Sequence, residues 1–238
     1  MKILITQPTF IPWLGFFDLI DQADEIVFLD DVQFSKRSWQ QRNQIRTKNG
    51  LEWITIPSQV KGLRDQHLKN TKINIGEFKY EKFKNKIILN YSKAKYFNDF
   101  IQDFFIVFEK GLQSENIMSL NLTIIKWFIK IFKIDKKINF SSGLNVEGNK
   151  TDKIINICKK FNTKKYISTL GAKEYLKNDI DNLKKNHIEV LLHNYKHPEY
   201  NQCFEPFISY ACSLDLLLNE GKNSSSIIKS GRLKLKNL

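Results

Sequence analysis

The stretch MKILITQPTFIPWLGFFDLIDQADEIVFLDD, residues 1–31, predicts a strand, a helix and a second strand in succession. Residues 2–6 form an apolar run that ends at Gln7, which is typical of a buried strand leading into a loop. The apolar side chains between residues 16 and 23 fall on one helical face, and residues 25–31 form a second apolar run that ends in two aspartates. A strand, a helix and a strand in this order favour parallel strands joined by a crossover.

The same alternation of strands and helices continues along the chain. Apolar or alternating runs predict further strands over residues 51–57, 138–140, 165–168 and 188–195. Helical periodicity predicts helices over residues 151–161, 172–177 and 206–221, and three more over 78–91, 98–110 and 117–132. We expect one α/β domain over residues 1–238, with a mostly parallel sheet, crossover helices and a helical insertion or subdomain at 77–134.

The composition is that of a folded protein with a basic surface. Hydrophobic residues make up 42% of the 238 residues and aromatic residues 13%, which excludes a disordered chain. The net charge of +13 comes from 38 basic and 25 acidic residues. This balance predicts a solvated lysine surface, and it also raises the local concentration of anionic partners such as nucleotide sugars or nucleic acid.

We expect a cytoplasmic protein that does not span a membrane. The N-terminal apolar run is too short for a signal peptide, and no apolar run reaches the roughly 18 residues that a membrane span needs. The three cysteines form no CxxC pair, which indicates reduced thiols and gives a zinc site little support. The basic amphipathic helix predicted over 117–132 is either a packed core helix or a segment that docks on a membrane surface.

Polar residues follow the predicted strands at the points where each strand ends. Ligands bind to open parallel sheets outside these carboxyl ends, so we expect such residues, from both ends of the chain, to converge on one site. The residues concerned are Gln7, Asp30, Asp31, Gln33, Ser168, Tyr195, His197 and Tyr200. His197, Asp30 and Asp31 are the candidates for a catalytic base, and His193, within a predicted strand, is placed after His197.

The loop DDVQFSKRSWQQRNQIR, residues 30–46, combines basic side chains with an indole. Arginine forks bind phosphate oxygens through parallel hydrogen bonds, and an indole can stack on a base or a sugar face. The further candidates for substrate binding are therefore Trp13, Lys36, Arg37, Trp39, Arg42 and Asn43. The loop predicts a site for a nucleotide diphosphate group; the alternative is a solvated loop whose aspartates pair with its own arginines.

Asp215 and Asn219 lie one helical turn apart, so they share a face of the helix predicted near the C-terminus. A buried aspartate needs a partner, which either Tyr200 or Arg42 can supply. We expect this aspartate to anchor the helix.

Three segments of the chain are distinctive. They are QPTFIPWLGFFDLIDQADEIVFLDDVQFSKRSWQQRNQI at 7–45, ISTLGAKEYL at 167–176 and YKHPEYNQCFEPFISYACSLDLLLNEG at 195–221. Together they resemble the WbqC-like family, which is associated with gene clusters for O-antigen and similar surface polysaccharides and whose members have been suggested to transfer glycine. The resemblance implies N-aminoacyl transfer, glycyl above all, to the amino group of a nucleotide-linked amino sugar, with one of the three candidate bases deprotonating that amine.

A second, shorter resemblance concerns WLGFFDLI, residues 13–20. It is similar to the HxGH element of nucleotidyltransferases and of pantothenate synthetase, with Trp13 and Phe16 in place of the two histidines. This likeness implies a nucleotide over the helix N-terminus. The acyl donor is either aminoacyl-tRNA or a free amino acid activated by ATP with magnesium. In the second case Asp30 and Asp31 are the candidate ligands of the metal. The alternative to an enzyme is a non-catalytic nucleotide- or tRNA-binding module that assists polysaccharide assembly.

Overall fold

The fold is described from a computed structural model, which describes residues 1–63 and 65–238. Five parallel strands and one antiparallel edge strand form its central sheet. The strands are β1 (Lys2–Thr6), β2 (Glu25–Phe28), β3 (Arg42–Thr47), β4 (Gly50–Thr55), β5 (Lys137–Phe140), β6 (Lys165–Ser168), β7 (Glu189–Leu192) and β8 (Lys236–Asn237). Their order in the central sheet is β5-β2-β1-β6-β7-β8, with β8 antiparallel to β7. The predicted α/β fold with a mostly parallel sheet is confirmed.

Helices cover both faces of this sheet. They are α1 (Leu14–Gln22), α2 (Tyr80–Tyr91), α3 (Phe97–Leu112), α4 (Ile117–Ile131), α5 (Lys150–Lys160), α6 (Lys173–Asn178), α7 (Ile180–Lys185), α8 (Ser213–Glu220) and α9 (Ser224–Ser230). Successive residues of a strand point to opposite faces, which explains the two layers. Leu4 of β1 shares a core with α1, whereas Ile3 and Ile5 share a second core with α5.

The chain changes direction across the sheet between β1 and β6. β2 and then β5 lie on one side of β1, whereas β6 and β7 lie on its other side. The crossover from β1 to β2 contains α1, and the crossover from β5 to β6 contains α5 on the opposite face. The loops that follow β1 and β6 therefore diverge at a topological switch point, where open α/β sheets leave a crevice for a ligand.

The helical segment predicted at 77–134 consists of α2, α3 and α4. Of these, α4 packs beside α1, where the ring centroid of Phe17 lies 5.4 Å from that of Phe128 and 5.0 Å from that of Phe132. α4 buries Ile124 and Phe128 completely, so the helix is a packed core helix. Within residues 1–63 and 65–238, no helix is long and apolar enough to cross a membrane.

β3 and β4 form a separate antiparallel hairpin, of which the sequence predicts only β4. β3 is polar, and strand prediction depends on apolar alternation. Three of its polar residues, Asn43, Arg46 and Thr47, are nevertheless buried. The Asn43 amide donates to the carbonyl oxygens of Phe10 (3.0 Å) and Ile11 (2.8 Å). The Arg46 guanidinium donates to two carbonyl groups within residues 204–206, so the hairpin connects an N-terminal loop with a C-terminal one.

The helix predicted over 206–221 is wrong for its first half, because α8 covers only the second half. Backbone N–H groups in the first half bond to side chains elsewhere, which replaces helical bonding. The N–H of Ile208 donates to the Gln202 side chain at 2.9 Å. The N–H of Tyr210 donates to the ring of His197 at 3.1 Å.

Replacing Asn43 with Ala removes the donor that two buried carbonyl groups of the loop before α1 share. We expect the free energy of unfolding to fall by about 2 kcal/mol, because buried acceptors without a donor pay a desolvation cost. Urea unfolding followed by circular dichroism measures this change. The matched control is Asn49→Ala at the exposed hairpin tip, with an expected change below about 0.5 kcal/mol. Equal losses in the two variants would contradict the anchoring role.

Candidate functional site

A cavity of about 700 Å³ lies at the switch point between β1 and β6. Gln7 after β1, Ser168 at the end of β6 and His193 after β7 all line it. The tryptophan and tyrosine side chains on its walls are Trp13, Trp39, Tyr166, Tyr175, Tyr195 and Tyr210. Among the described residues that line it, none is Asp, Glu, Lys or Arg. Aromatic walls with a few polar groups are typical of a pocket for a small organic molecule.

His193 is held against this cavity by a buried carboxylate. Its Nε2 lies 2.8 Å from Oδ2 of Asp18, a residue of α1 with no exposed surface. Asp18 also accepts hydrogen bonds from Nε of Arg232 at 2.7 Å and from the Gln22 amide at 2.7 Å. A carboxylate surrounded by three donors acts as an acceptor only, so the proton between Asp18 and His193 belongs to Nε2 of the histidine.

This tautomer leaves the lone pair of His193 on Nδ1. In the part of the chain that the structure describes, no protein group forms a hydrogen bond with Nδ1. The imidazole lies nearly parallel to the Tyr195 ring, with 5.4 Å between centroids. A cavity-lining histidine in this state can accept a proton from a ligand, and Asp18 stabilises the imidazolium that forms.

Arg232 connects Asp18 with a second aspartate of α1, Asp21. Burial works against the charge of Arg232, but its bonds to the two aspartates outweigh burial and raise its pKa. Burial likewise works against the charge of Asp21, but the bond from Arg232 and the positive charges of Arg232 and Lys229 together outweigh burial and lower the Asp21 pKa. A permanent positive charge therefore supports the carboxylate that orients His193.

The loop between β1 and α1 holds Trp13 over the first turn of the helix. Ile11 in this loop is fully buried with a φ of 38°, a region that a β-branched residue rarely adopts. A Cβ added at Gly15 would lie 2.1 Å from Cη2 of Trp13, so the close approach of the indole requires a glycine. The indole covers the helix N-terminus, where the shorter resemblance implies a nucleotide, and a phosphate there would meet this ring.

The C-terminal segment closes over Trp13. The backbone of Trp13 pairs with that of Cys212 in an isolated β-bridge. The rings within 6.0 Å of the indole, measured between centroids, are those of Tyr195, His197 and Tyr210. The two distinctive ends of the chain therefore meet at the cavity.

The sequence model of the WbqC-like protein family matches residues 7–227. The chain belongs to this family. It is 32% identical over 233 residues to the uncharacterized protein Rv1507c of Mycobacterium tuberculosis, a match that covers 96% of this chain and 97% of the relative. No solved structure is significantly similar to the chain.

In this WbqC-like protein the predicted site residues divide into two groups. Those that line the cavity are Gln7, Trp13, Trp39, Asn43, Ser168 and Tyr195. Those outside its lining are Asp30, Asp31, Gln33, Lys36, Arg37, Arg42, His197 and Tyr200. The structure thus brings together the ends of β1 and β6 and the aromatic residues Trp13, Trp39 and Tyr195, but all of the charged candidates lie outside the lining.

His197 is bonded to the backbone through both ring nitrogens. Nδ1 lies 2.9 Å from the carbonyl oxygen of Pro198, and Nε2 accepts the N–H of Tyr210. Burial lowers the pKa of His197, although the bond to Pro198 opposes this shift. Neither nitrogen is free to take a proton from a ligand. His197 instead holds Tyr210, whose φ of 71° is unusual for a side chain of this size, at the edge of the cavity.

Asp30 and Asp31 bind protein groups at the neighbouring ends of β2 and β5. Asp30 accepts hydrogen bonds from the hydroxyls of Ser141 and Ser142, and Asp31 pairs with the Lys153 ammonium at 2.7 Å. Burial raises the pKa of Asp31, but the bonds from Lys153 and Ser141 outweigh burial and lower it. These contacts give the two aspartates a structural role. Among the described residues, no group of three or more His, Cys, Asp or Glu is arranged to hold a metal.

Three further candidates, Tyr200, Arg42 and Gln33, have partners outside the cavity. The Tyr200 hydroxyl donates to the buried Asp215 at 2.7 Å, so Tyr200 is the partner that the aspartate needs. Arg42 packs its guanidinium over the Trp53 ring. The Gln33 amide donates to Asp65 at 3.2 Å.

Asp18 is the functional candidate that sequence reasoning missed. With Asp21 and Gln22 it forms a polar stripe at helical spacing, which normally indicates a solvated face. Its burial depends on Arg232 and His193, which lie far away in sequence. The sequence around it, an aspartate between Phe17 and Leu19, does not distinguish a buried Asp18 from a solvated one.

The neutral state of His197 predicts a loss of stability in acid. Its folded pKa lies below the ordinary 6.5, so as the pH falls through that value the unfolded chain gains a proton before the native protein does. The free energy of unfolding should therefore decrease between about pH 7.5 and 5.5. Urea titrations should show a smaller decrease for His197→Gln, whose own stability is lower. The same pH dependence in both proteins would contradict this assignment.

Proposed function

We propose that this WbqC-like protein is an enzyme of surface polysaccharide biosynthesis. It transfers an aminoacyl group, with glycyl as the expected group, to the amino group of a nucleotide-linked amino sugar. The observation that carries the proposal is the Asp18–His193 pair at the switch-point cavity. It provides a base at the place where an open α/β sheet binds its ligand. Membership of the family supports the polysaccharide context.

An amine must lose a proton to act as a nucleophile and to remain acylated. The pKa of a sugar amine is low enough for an imidazole to accept its proton as the new bond forms. Accepting that proton is the usual task of a general base. Nδ1 of His193 has the lone pair that this task needs. The Asp18 carboxylate, 2.8 Å from Nε2, faces the positive charge that develops on the ring during the transfer.

The proposed step is a displacement at the acyl carbonyl carbon. The amine nitrogen forms a bond to that carbon, and the bond from the carbon to the leaving oxygen of the donor breaks. The proton from nitrogen passes to Nδ1 of His193 and then to the leaving oxygen. The donor is an activated carboxyl, either the ester of an aminoacyl-tRNA or an acyl adenylate, and the products are an amide and the free donor alcohol or phosphate.

Gln7 is suited to stabilise the carbonyl oxygen as it gains negative charge. Its Oε1 accepts a hydrogen bond from Nε2 of Gln40 at 2.7 Å, and Gln40 is buried. This bond fixes the orientation of the Gln7 amide, so its NH2 group is the part available as a donor to a cavity ligand. A fixed donor near the developing charge contributes directly to the rate.

The cavity walls suit the sugar ring. The indole and phenol faces of Trp13 and Tyr210 offer flat apolar surface, and the Ser168 hydroxyl, which accepts from the Tyr166 hydroxyl at 3.1 Å, can bind a sugar hydroxyl. A wall without fixed charge favours the uncharged amine that the reaction requires.

We expect His193→Gln to lower the rate of glycyl transfer by about 10²- to 10⁴-fold, the usual contribution of a general base. Purified protein is incubated with a nucleotide-linked 4-amino-4,6-dideoxysugar and either glycine with ATP and magnesium or glycyl-tRNA. Mass spectrometry then measures the gain of one glycyl group on the sugar.

His187→Asn is the matched control, because His187 is exposed and has a φ of 57° that asparagine tolerates. This variant should transfer glycine at the wild-type rate. If wild-type protein adds no mass with any donor across several amino sugars, the enzyme proposal fails. Ligand binding without turnover would then favour the non-catalytic binding module.

A further inference from the structure

Two large aromatic side chains remain exposed beside the cavity. Trp39 is 51% exposed and Trp53 is 41% exposed, and their ring centroids lie 5.2 Å apart. Trp39 also lines the cavity mouth. Indoles are costly to leave in water, and exposed aromatic clusters at the edge of a pocket commonly mark a binding surface.

The hairpin explains how this pair is built. Trp53 of β4 is the cross-strand partner of Gln44, and Arg42 lies two residues before Gln44 on the same face of β3. Arg42 and Trp53 are therefore diagonal neighbours, close enough for a long side chain to reach an aromatic ring. The guanidinium carbon lies 4.1 Å from the Trp53 ring centroid, a favourable cation–π contact. We refer to Trp39, Trp53 and Arg42 as the indole platform.

The platform stands on a rigid base. The carbonyl oxygen of Trp39 accepts the N–H of Phe10 at 2.8 Å, and that of Gln44 accepts the N–H of Cys212 at 2.8 Å. Asn43, between the two, is buried and bonded to the loop before α1. The position of the Trp39 ring is thus coupled to the same loop that shapes the cavity, which reduces the entropy lost when a ligand stacks on it.

We propose that Trp39 stacks on the nucleobase of the nucleotide that carries the acceptor sugar, with Trp53 and Arg42 supporting the indole from behind. The inference rests on the proposed function in one respect: the acceptor is nucleotide-linked. A base is the part of such a molecule that an exposed, half-supported indole binds best, because every base presents a flat π face.

The charges beside the platform match the rest of the nucleotide. Lys36 and Arg37 are exposed at a turn in which the N–H of Ser38 donates to the carbonyl oxygen of Ser35 at 3.3 Å. Neither basic side chain forms an ion pair with any residue that the structure describes. They precede Trp39 by three and two residues, whereas the cavity itself is lined without fixed charge.

This arrangement follows the chemical order of a nucleotide sugar. When the nucleobase stacks on Trp39, the diphosphate lies next to it, within reach of Lys36 and Arg37. The uncharged sugar then lies farther in, in the cavity with His193. A guanidinium and an ammonium are the usual partners of such phosphates. The residues predicted from the sequence for phosphate binding therefore act at the cavity mouth, outside its lining.

The test is equilibrium binding of UDP, dTDP, GDP and CDP, measured by calorimetry in the absence of any acyl donor. At least one diphosphate should bind, and ribose 5-phosphate, which has no base, should bind at least tenfold more weakly. Trp39→Ala should weaken nucleotide binding by about 10- to 100-fold, the usual effect of removing one stacking ring, whereas Trp39→Phe should lose much less. Trp127→Phe, in the helical layer, is the matched control and should bind as wild type does.

Unchanged binding in Trp39→Ala, or equal binding of ribose 5-phosphate, would overturn the inference. It would also be overturned if no nucleoside diphosphate binds but a single-stranded RNA ending in CCA does, with steep salt dependence. Absence of glycyl transfer with Trp39-dependent binding intact would reject the proposed function alone, and transfer that is indifferent to Trp39→Ala would reject this inference alone.

Discussion

A carboxylate without access to water, that of Asp18, fixes the relative positions of three segments of this protein. It lies on α1 and accepts hydrogen bonds from His193 after β7 and from Arg232 near the C-terminus. A buried charge is strongly destabilising once it loses its partners. The three segments therefore stay together, and the cavity at the ends of β1 and β6 has a defined side formed by His193.

Four other buried or half-buried polar side chains support the site indirectly. Asn43 holds the strained loop that carries Trp13, and His197 holds the strained backbone of Tyr210. Asp30 and Asp31 fasten the neighbouring strand ends to two serines and a lysine. Each of these side chains forms its hydrogen bonds with other groups of the protein. Gln7 and Nδ1 of His193, by contrast, keep hydrogen-bonding capacity for a ligand, which separates the residues that build the cavity from those that can act in it.

The sequence predicts much of the fold because local patterns report it. The apolar runs of β1, β2, β6 and β7 and the helical period of 77–134 each identify an element without knowledge of the rest of the chain. The rule that parallel strands end at one edge then places Gln7 and Ser168 together. β3 and the segment 206–212 fail by the same logic, because their backbone and polar side chains bond to distant residues, which no local period can reveal.

The sequence by itself determined the parallel α/β architecture, the family and the meeting of the two chain ends. Only the tertiary structure decided which histidine faces the cavity. His193 and His197 are four residues apart and chemically identical, but one meets Asp18, 175 residues away, while the other is bonded to neighbouring backbone. Hydrophobic periodicity indicates on which face of its own strand or helix a residue lies. The partner that a polar atom finds there depends on how separate elements pack, and that information is not local.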